Sequence, residues 1–141
     1  MTLTLRKCRT IIRKALDHGK DQGFKPLSVI VLDAGGHPLA FEREDGASPG
    51  RYAIAQGKAY GAIMLGMAGT AQMARAEAQA YFIQAANGAF GGQMVPVPGG
   101  VLIRDKKGAV LGAVGVTGDT SDNDAAAAQA GVEAAGLSAE I

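Results

Sequence analysis

The chain has 141 residues, of which 48% are hydrophobic and 19% charged, with a net charge of +1. That length suits one domain with a core that needs no metal or disulfide staple, and the composition excludes a disordered chain. No segment concentrates the basic residues, which argues against nucleic acid as the main partner, and the single Cys8 rules out an intrachain disulfide and fits a reducing compartment.

Leu5, Cys8, Ile12, Ala15 and Gly19 recur at helical spacing and predict an amphipathic helix over residues 4–22, closed by Gly23 and Pro26. The basic residues at its start precede no long apolar run, so it does not read as a signal peptide. His18 lies on the flank of that helix, between its apolar and polar faces. It reads as a solvated residue or as an axial haem ligand or interface residue, since neutral imidazole is a common ligand of haem iron.

Residues 27–32 form a β-branched apolar run suited to a strand covered on both faces. The turn-rich segment 33–38 follows, and residues 39–43 continue as the second strand of an antiparallel hairpin. Alternation puts Leu39, Phe41, Arg43 and Asp45 on one side of that strand.

A second helix is predicted over residues 51–67, and after Arg51 its only strongly polar side chains are Gln56 and Lys58. A helix apolar almost all round is a buried one, so Lys58 is expected in the interior. A buried ammonium needs a carboxylate partner or a polar cavity, and Asp33 and Asp45 are the expected partners. Two readings stand side by side: a Lys–Asp pair that fixes the helix on the sheet, or a cation that, with Arg43 or Arg51, receives a carboxylate or propionate. The longest apolar stretch, residues 59–71, is interrupted by glycine and falls short of the ~20 residues a membrane helix needs. No membrane partner and a cytoplasmic location are therefore expected.

Thr70 is expected to cap a third helix over residues 71–86 that ends at Asn87-Gly88. Residues 91–100 are rich in glycine and proline, with a short edge strand at 93–97. A hairpin follows, with strands at 101–104 and 109–117, and Ser121-x-x-Asp124 matches a capping box opening a last helix over 122–135. Hairpins separated by helices give an α+β fold: an antiparallel sheet of about five strands with helices packed on it, in one domain spanning 1–141.

Motifs of hydrolases, phosphate loops and calcium loops are missing, and Cys8 reads as a core residue rather than a nucleophile. The 21 glycines permit close backbone approach, or a ligand lying against the main chain.

Several segments together resemble the GlcG/HbpS family. Val31-Leu32-Asp33-x-x-Gly36-His37, Phe41-Glu42-Arg43-x-Asp45-Gly46 and Ile54-Ala55-x-Gly57-Lys58-Ala59 are similar to its first half. Pro96-Val97-Pro98-Gly99-Gly100-Val101, the run from Gly112 to Gly118 and Asp122-Asn123-Asp124 are similar to its second half. The resemblance implies a profilin-like α-β-α fold, a homo-oligomer that is often an octamer, and haem or corrinoid-related binding in members of known role. Two departures stand out: Ala125 occupies a position usually acidic in the family, and no histidine follows His37.

The leading expectation is an oligomeric small-ligand protein with haem as first candidate. Its pocket would be formed by strand ends, Lys58 and the Pro98-Gly99-Gly100 turn, with His18 on the iron and Arg43, Arg51 or Lys58 on the propionates. The alternative is a catabolic enzyme of lyase, isomerase or hydratase type acting on a small organic acid, with Lys58 or Asp33 as acid/base.

Overall fold

The computed structural model describes residues 2–141. Helix α1 runs Leu5–Asp21, opened by Thr4, whose hydroxyl accepts from the Lys7 amide at 3.1 Å. Its buried stripe is Cys8, Ile11, Ile12, Ala15 and Gly19. Strands β1 (Ser28–Asp33) and β2 (Pro38–Arg43) form the first hairpin. Helix α2 (Arg51–Leu65) follows, then α3 (Gly69–Ala78), α4 (Ala80–Ala89), β3 (Gly100–Arg104), β4 (Val110–Thr117), α5 (Ser121–Ala134) and β5 (Ser138–Glu140). The five strands form one antiparallel sheet in the order β2-β1-β4-β3-β5, so the fold is α+β.

Strand alternation sorts the core into two layers. Val29, Val31, Val101, Ile103, Val114 and Val116 face α1 and α5. Ile30, Leu32, Leu102 and Ala113 face α2, which answers with Ala55, Ala59 and Ala62. Because β1, β3 and β4 are covered on both faces, they read as near-continuous apolar runs.

Four local expectations are corrected. The single helix expected over residues 71–86 is two helices, broken at Gln79, where φ is −141° and ψ is 65°. No glycine or proline marks the break. It turns α4 back so that the Phe82 ring lies 4.1 Å from the Arg75 guanidinium and Ile83 is buried, contacts that outweigh helical continuity. The first of these helices is capped by Ala68, not Thr70.

Residues 93–97 form no strand; the Val95 amide donates to the Gly57 carbonyl at 3.1 Å, so the segment lies along α2 instead of the sheet. The fifth strand is β5, paired with β3 and clamped by Arg104, whose Nε and Nη2 both reach Glu140 Oε1 at 2.9 Å. Last, Thr120 rather than Ser121 caps α5, its hydroxyl accepting from the Asn123 amide at 3.2 Å.

Helix α2 is buried on one side only. Ala55, Gly57, Lys58, Ala59, Gly61 and Ala62 are enclosed, while Tyr52 and Ala53 are exposed and Ile54, Ile63, Met64 and Leu65 are half-buried.

Candidate functional site

The strand register gathers most of the candidate residues at one end of the sheet. There α1 ends, α2 and α5 begin, and Ser28 of β1 pairs with Arg43 of β2 and with Thr117 of β4. His18, Arg43, Arg51, Lys58, Pro98, Gly99 and Gly100 all belong to this end. Asp33 belongs to the other.

Lys58 is 3% exposed, as the apolar character of α2 predicts. Its ammonium donates to the Val116 carbonyl and to Asp124 Oδ2, each at 3.0 Å. Asp124 is also buried, and its Oδ1 accepts from the Asp119 amide at 2.9 Å. The partner is thus Asp124 and neither Asp33 nor Asp45; Asp45 is exposed in the loop before α2. Burial pushes the Lys58 pKa below its ordinary value, the Asp124 carboxylate opposes that, and the Arg51 charge adds to the lowering.

Glycines clear the path of this side chain. A Cβ on Gly99 would stand 2.8 Å from the Lys58 ammonium, and one on Gly100 would meet the Lys58 backbone carbonyl. A Cβ on Gly115 would meet the carbonyl of Ala55. Gly100 of β3 and Gly115 of β4 therefore serve the approach of α2 to the sheet. Pro98, Gly99 and Gly100 are buried against that helix, and Lys58 occupies the space beside them.

Arg51, the first residue of α2, donates from Nη1 to Thr117 Oγ1 at 2.8 Å. With Lys25, Gly118, Asp119 and Thr120 it lines a surface cleft of about 220 Å³. Asp119 accepts from the Lys25 amide (2.9 Å), the Thr120 amide (2.9 Å) and the Asn123 side chain (2.7 Å). Those donors, the Lys25 amide foremost, hold its carboxyl down at about 2. Arg43 is exposed on the edge strand, beside a groove that β2 forms with Leu16 and Lys20 of α1. His18 is half-buried on the α1 flank, its imidazole edge-on to the Phe24 ring with centroids 5.8 Å apart.

At the opposite end, Asp33 closes the β1–β2 turn. Its Oδ1 accepts from the Gly35 and His37 amides, each at 2.9 Å, and the His37 amide leads in holding the carboxyl below its usual range. It borders a separate cleft of about 440 Å³ that Leu3, Leu39 and Val110 also line. Lys58 and Asp33 are therefore not brought together.

Asp124 is the residue whose placement sequence reasoning missed. It reads as a capping carboxylate in the first turn of α5, yet Asp124, Ala127, Ala128 and Gly131 form the buried i, i+3, i+4, i+7 stripe of that helix. That spacing is the signal that points Asp124 inward.

No curated protein matches the chain. Among solved structures, it is similar to a PduOC–haem complex, at 20% identity over 97% of each chain with a TM-score of 0.86. It is also similar to a double mutant of Streptomyces reticuli HbpS, at 28% identity over 94% of this chain and 86% of that one, with a TM-score of 0.78. Klebsiella pneumoniae ORFY is a third, at 25% identity over 96% and 92% of the two chains, with a TM-score of 0.83. The family model described as "Haem degrading protein HbpS-like" matches residues 3–133, and the chain belongs to that HbpS-like family.

Proposed function

We propose that this protein is an oligomeric haem-binding protein, with related tetrapyrroles as the wider ligand class. The observation that carries the reading is the half-buried imidazole of His18, packed edge-on against Phe24 at the end of the sheet where Arg51 also sits. That donor set fits a haem: an imidazole for iron, an aromatic wall beside it, and cations within the same end for propionates. Family membership and the likeness to a haem-bound structure support the same ligand.

In this reading His18 supplies the iron ligand, and Arg51 and Arg43 are available to the propionates. Lys58, Pro98, Gly99 and Gly100 hold α2 against the strand ends that carry them, since the Lys58 charge is already met by Asp124. Bound haem would contribute the redox and ligand-binding chemistry of its iron; the chain contributes orientation and exclusion of water on one side.

The half-covered apolar flank of α2, together with Tyr52 at 41% and Tyr81 at 71% exposure, supports self-assembly. The family resemblance favours eight subunits, and the one buried thiol, Cys8, suits the cytoplasm. Haem titration followed in the Soret band tests the function: a saturable shift in the wild-type protein, lost in His18→Ala at unchanged fold, is expected. A titration with no Soret shift, or one unaltered by His18→Ala, overturns it.

A further inference from the structure

The α2-facing side of the sheet end carries a row of polar residues that α2 engages through a single bond, from Arg51. Strand register puts Arg43, Ser28 and Thr117 side by side on adjacent strands β2, β1 and β4. All three share the face of Ile30, Ala113 and Phe41, two residues or a multiple of two away, which pack toward α2. Arg51 lies over the row through its bond to Thr117 Oγ1.

Ser28 is fully buried, and its hydroxyl has no hydrogen-bond partner among the described residues. Buried hydroxyls are normally paired, so an orphan one beside a guanidinium points to a polar ligand. The charges point the same way. Lys58 and Asp124 neutralise each other, and the ion pairs of the described residues include neither Arg43 nor Arg51. Arg51 uses one of its five N–H groups on Thr117.

We infer that Arg51, Ser28 and Thr117, flanked by Arg43, form a binding site for a carboxylate group. A guanidinium offers two parallel N–H donors to a carboxylate, and the two hydroxyls supply further donors beneath. Arg51 lines the cleft together with Gly118, the residue after Thr117, and a carboxylate arriving there draws the guanidinium from Thr117 towards its oxygens. Asp119 on the rim of that cleft repels a dianion more than a monoanion, which favours a carboxylate over a phosphate. The site lies on the α2 side of the sheet and His18 on the α1 helix, so the inference stands without the haem reading. Its carboxylate has two possible sources, a free small organic acid or the propionate of a tetrapyrrole.

Amide NMR spectra of the full chain, recorded against acetate, haem and haem dimethyl ester, test the site. Saturable shifts of the Ser28, Thr117 and Gly118 amides with acetate assign a free acid. Saturable shifts with haem but with neither its diester nor acetate assign the propionate. Arg51→Gln is expected to weaken the effective ligand at least tenfold, and exposed Arg43→Gln, which leaves the fold intact, about threefold. Ser28→Ala is expected to weaken binding several-fold while the thermal midpoint holds or rises, because an unpaired hydroxyl is removed. Absence of saturable shifts with acetate and haem alike, or affinities unchanged in Arg51→Gln, Arg43→Gln and Ser28→Ala, overturns the site.

Discussion

The Lys58 ammonium stands 3.0 Å from the Asp124 carboxylate, and the two side chains are 3% and 2% exposed. Lys58 belongs to the helix on one face of the sheet and Asp124 to a helix on the other, so the pair joins the two helical layers around the strand ends. The Val116 carbonyl accepts a second bond from the ammonium and the Asp119 amide donates to the other carboxylate oxygen, so each charge has a further polar partner besides the other.

Removing one partner strands the other charge in the interior. Lys58→Met is expected to cost about 3–5 kcal/mol. Adding Asp124→Asn, which keeps an oxygen for the Asp119 amide, should recover more than half of that. Denaturant titration at fixed protein concentration measures both values; additive losses in the double variant would contradict a coupled pair.

The glycines under α2 make a second prediction. Gly115→Ala pushes a methyl group into the Ala55 carbonyl, with Ala59 Cβ another 3.1 Å contact. Overpacking of this kind costs about 1–3 kcal/mol. A methyl group at Gly88, in α4, would meet nothing within 4 Å, so Gly88→Ala is expected to stabilise by about 0.4–1 kcal/mol. Thermal unfolding of the two variants should move in opposite directions.

Asp119 predicts an acid response. Its folded pKa of about 2 lies below the ordinary 3.8, so the unfolded chain binds more protons between those values. Its contribution is fully present above the ordinary value and is lost as pH falls through that window. The wild-type melting temperature should therefore fall further than that of Asp119→Asn between the two pH values. Parallel curves would show that the Lys25, Thr120 and Asn123 bonds to Asp119 do not support the fold.

Ile54 is half-buried on the outer flank of α2 and borders a cleft with Gln93 and Val95. If that flank mediates self-assembly, Ile54→Lys should dissociate the oligomer with little change in circular dichroism. Sedimentation velocity reads the outcome, and an unchanged sedimentation coefficient would place the interface elsewhere.

Much of this architecture is written in local pattern. The α1 stripe, the apolar runs of β1, β3 and β4 and the isolated lysine of α2 each follow from side-chain periodicity. Long-range partnerships are less legible. Lys58 and Asp124 are 66 residues apart, and only the folded sheet end brings them together. The break at Gln79 has no glycine or proline to announce it, and β5 is three residues long, too short for alternation to register. Residues 93–97 have strand-like composition, but the Gly57 carbonyl captures the Val95 amide. Among the residues of the two proposed sites, His18 and the arginines stand out in the sequence by residue type. Ser28 does not, because its significance lies in register with Arg43 and Thr117.

The central claim is that ligand binding belongs to His18 while the Lys58–Asp124 pair serves the fold. Parallel haem titrations of the wild type, His18→Ala and Lys58→Met/Asp124→Asn test it most directly. The Soret shift is expected to be lost in His18→Ala and kept in the double variant. A shift kept without His18 and lost with the buried pair would contradict it.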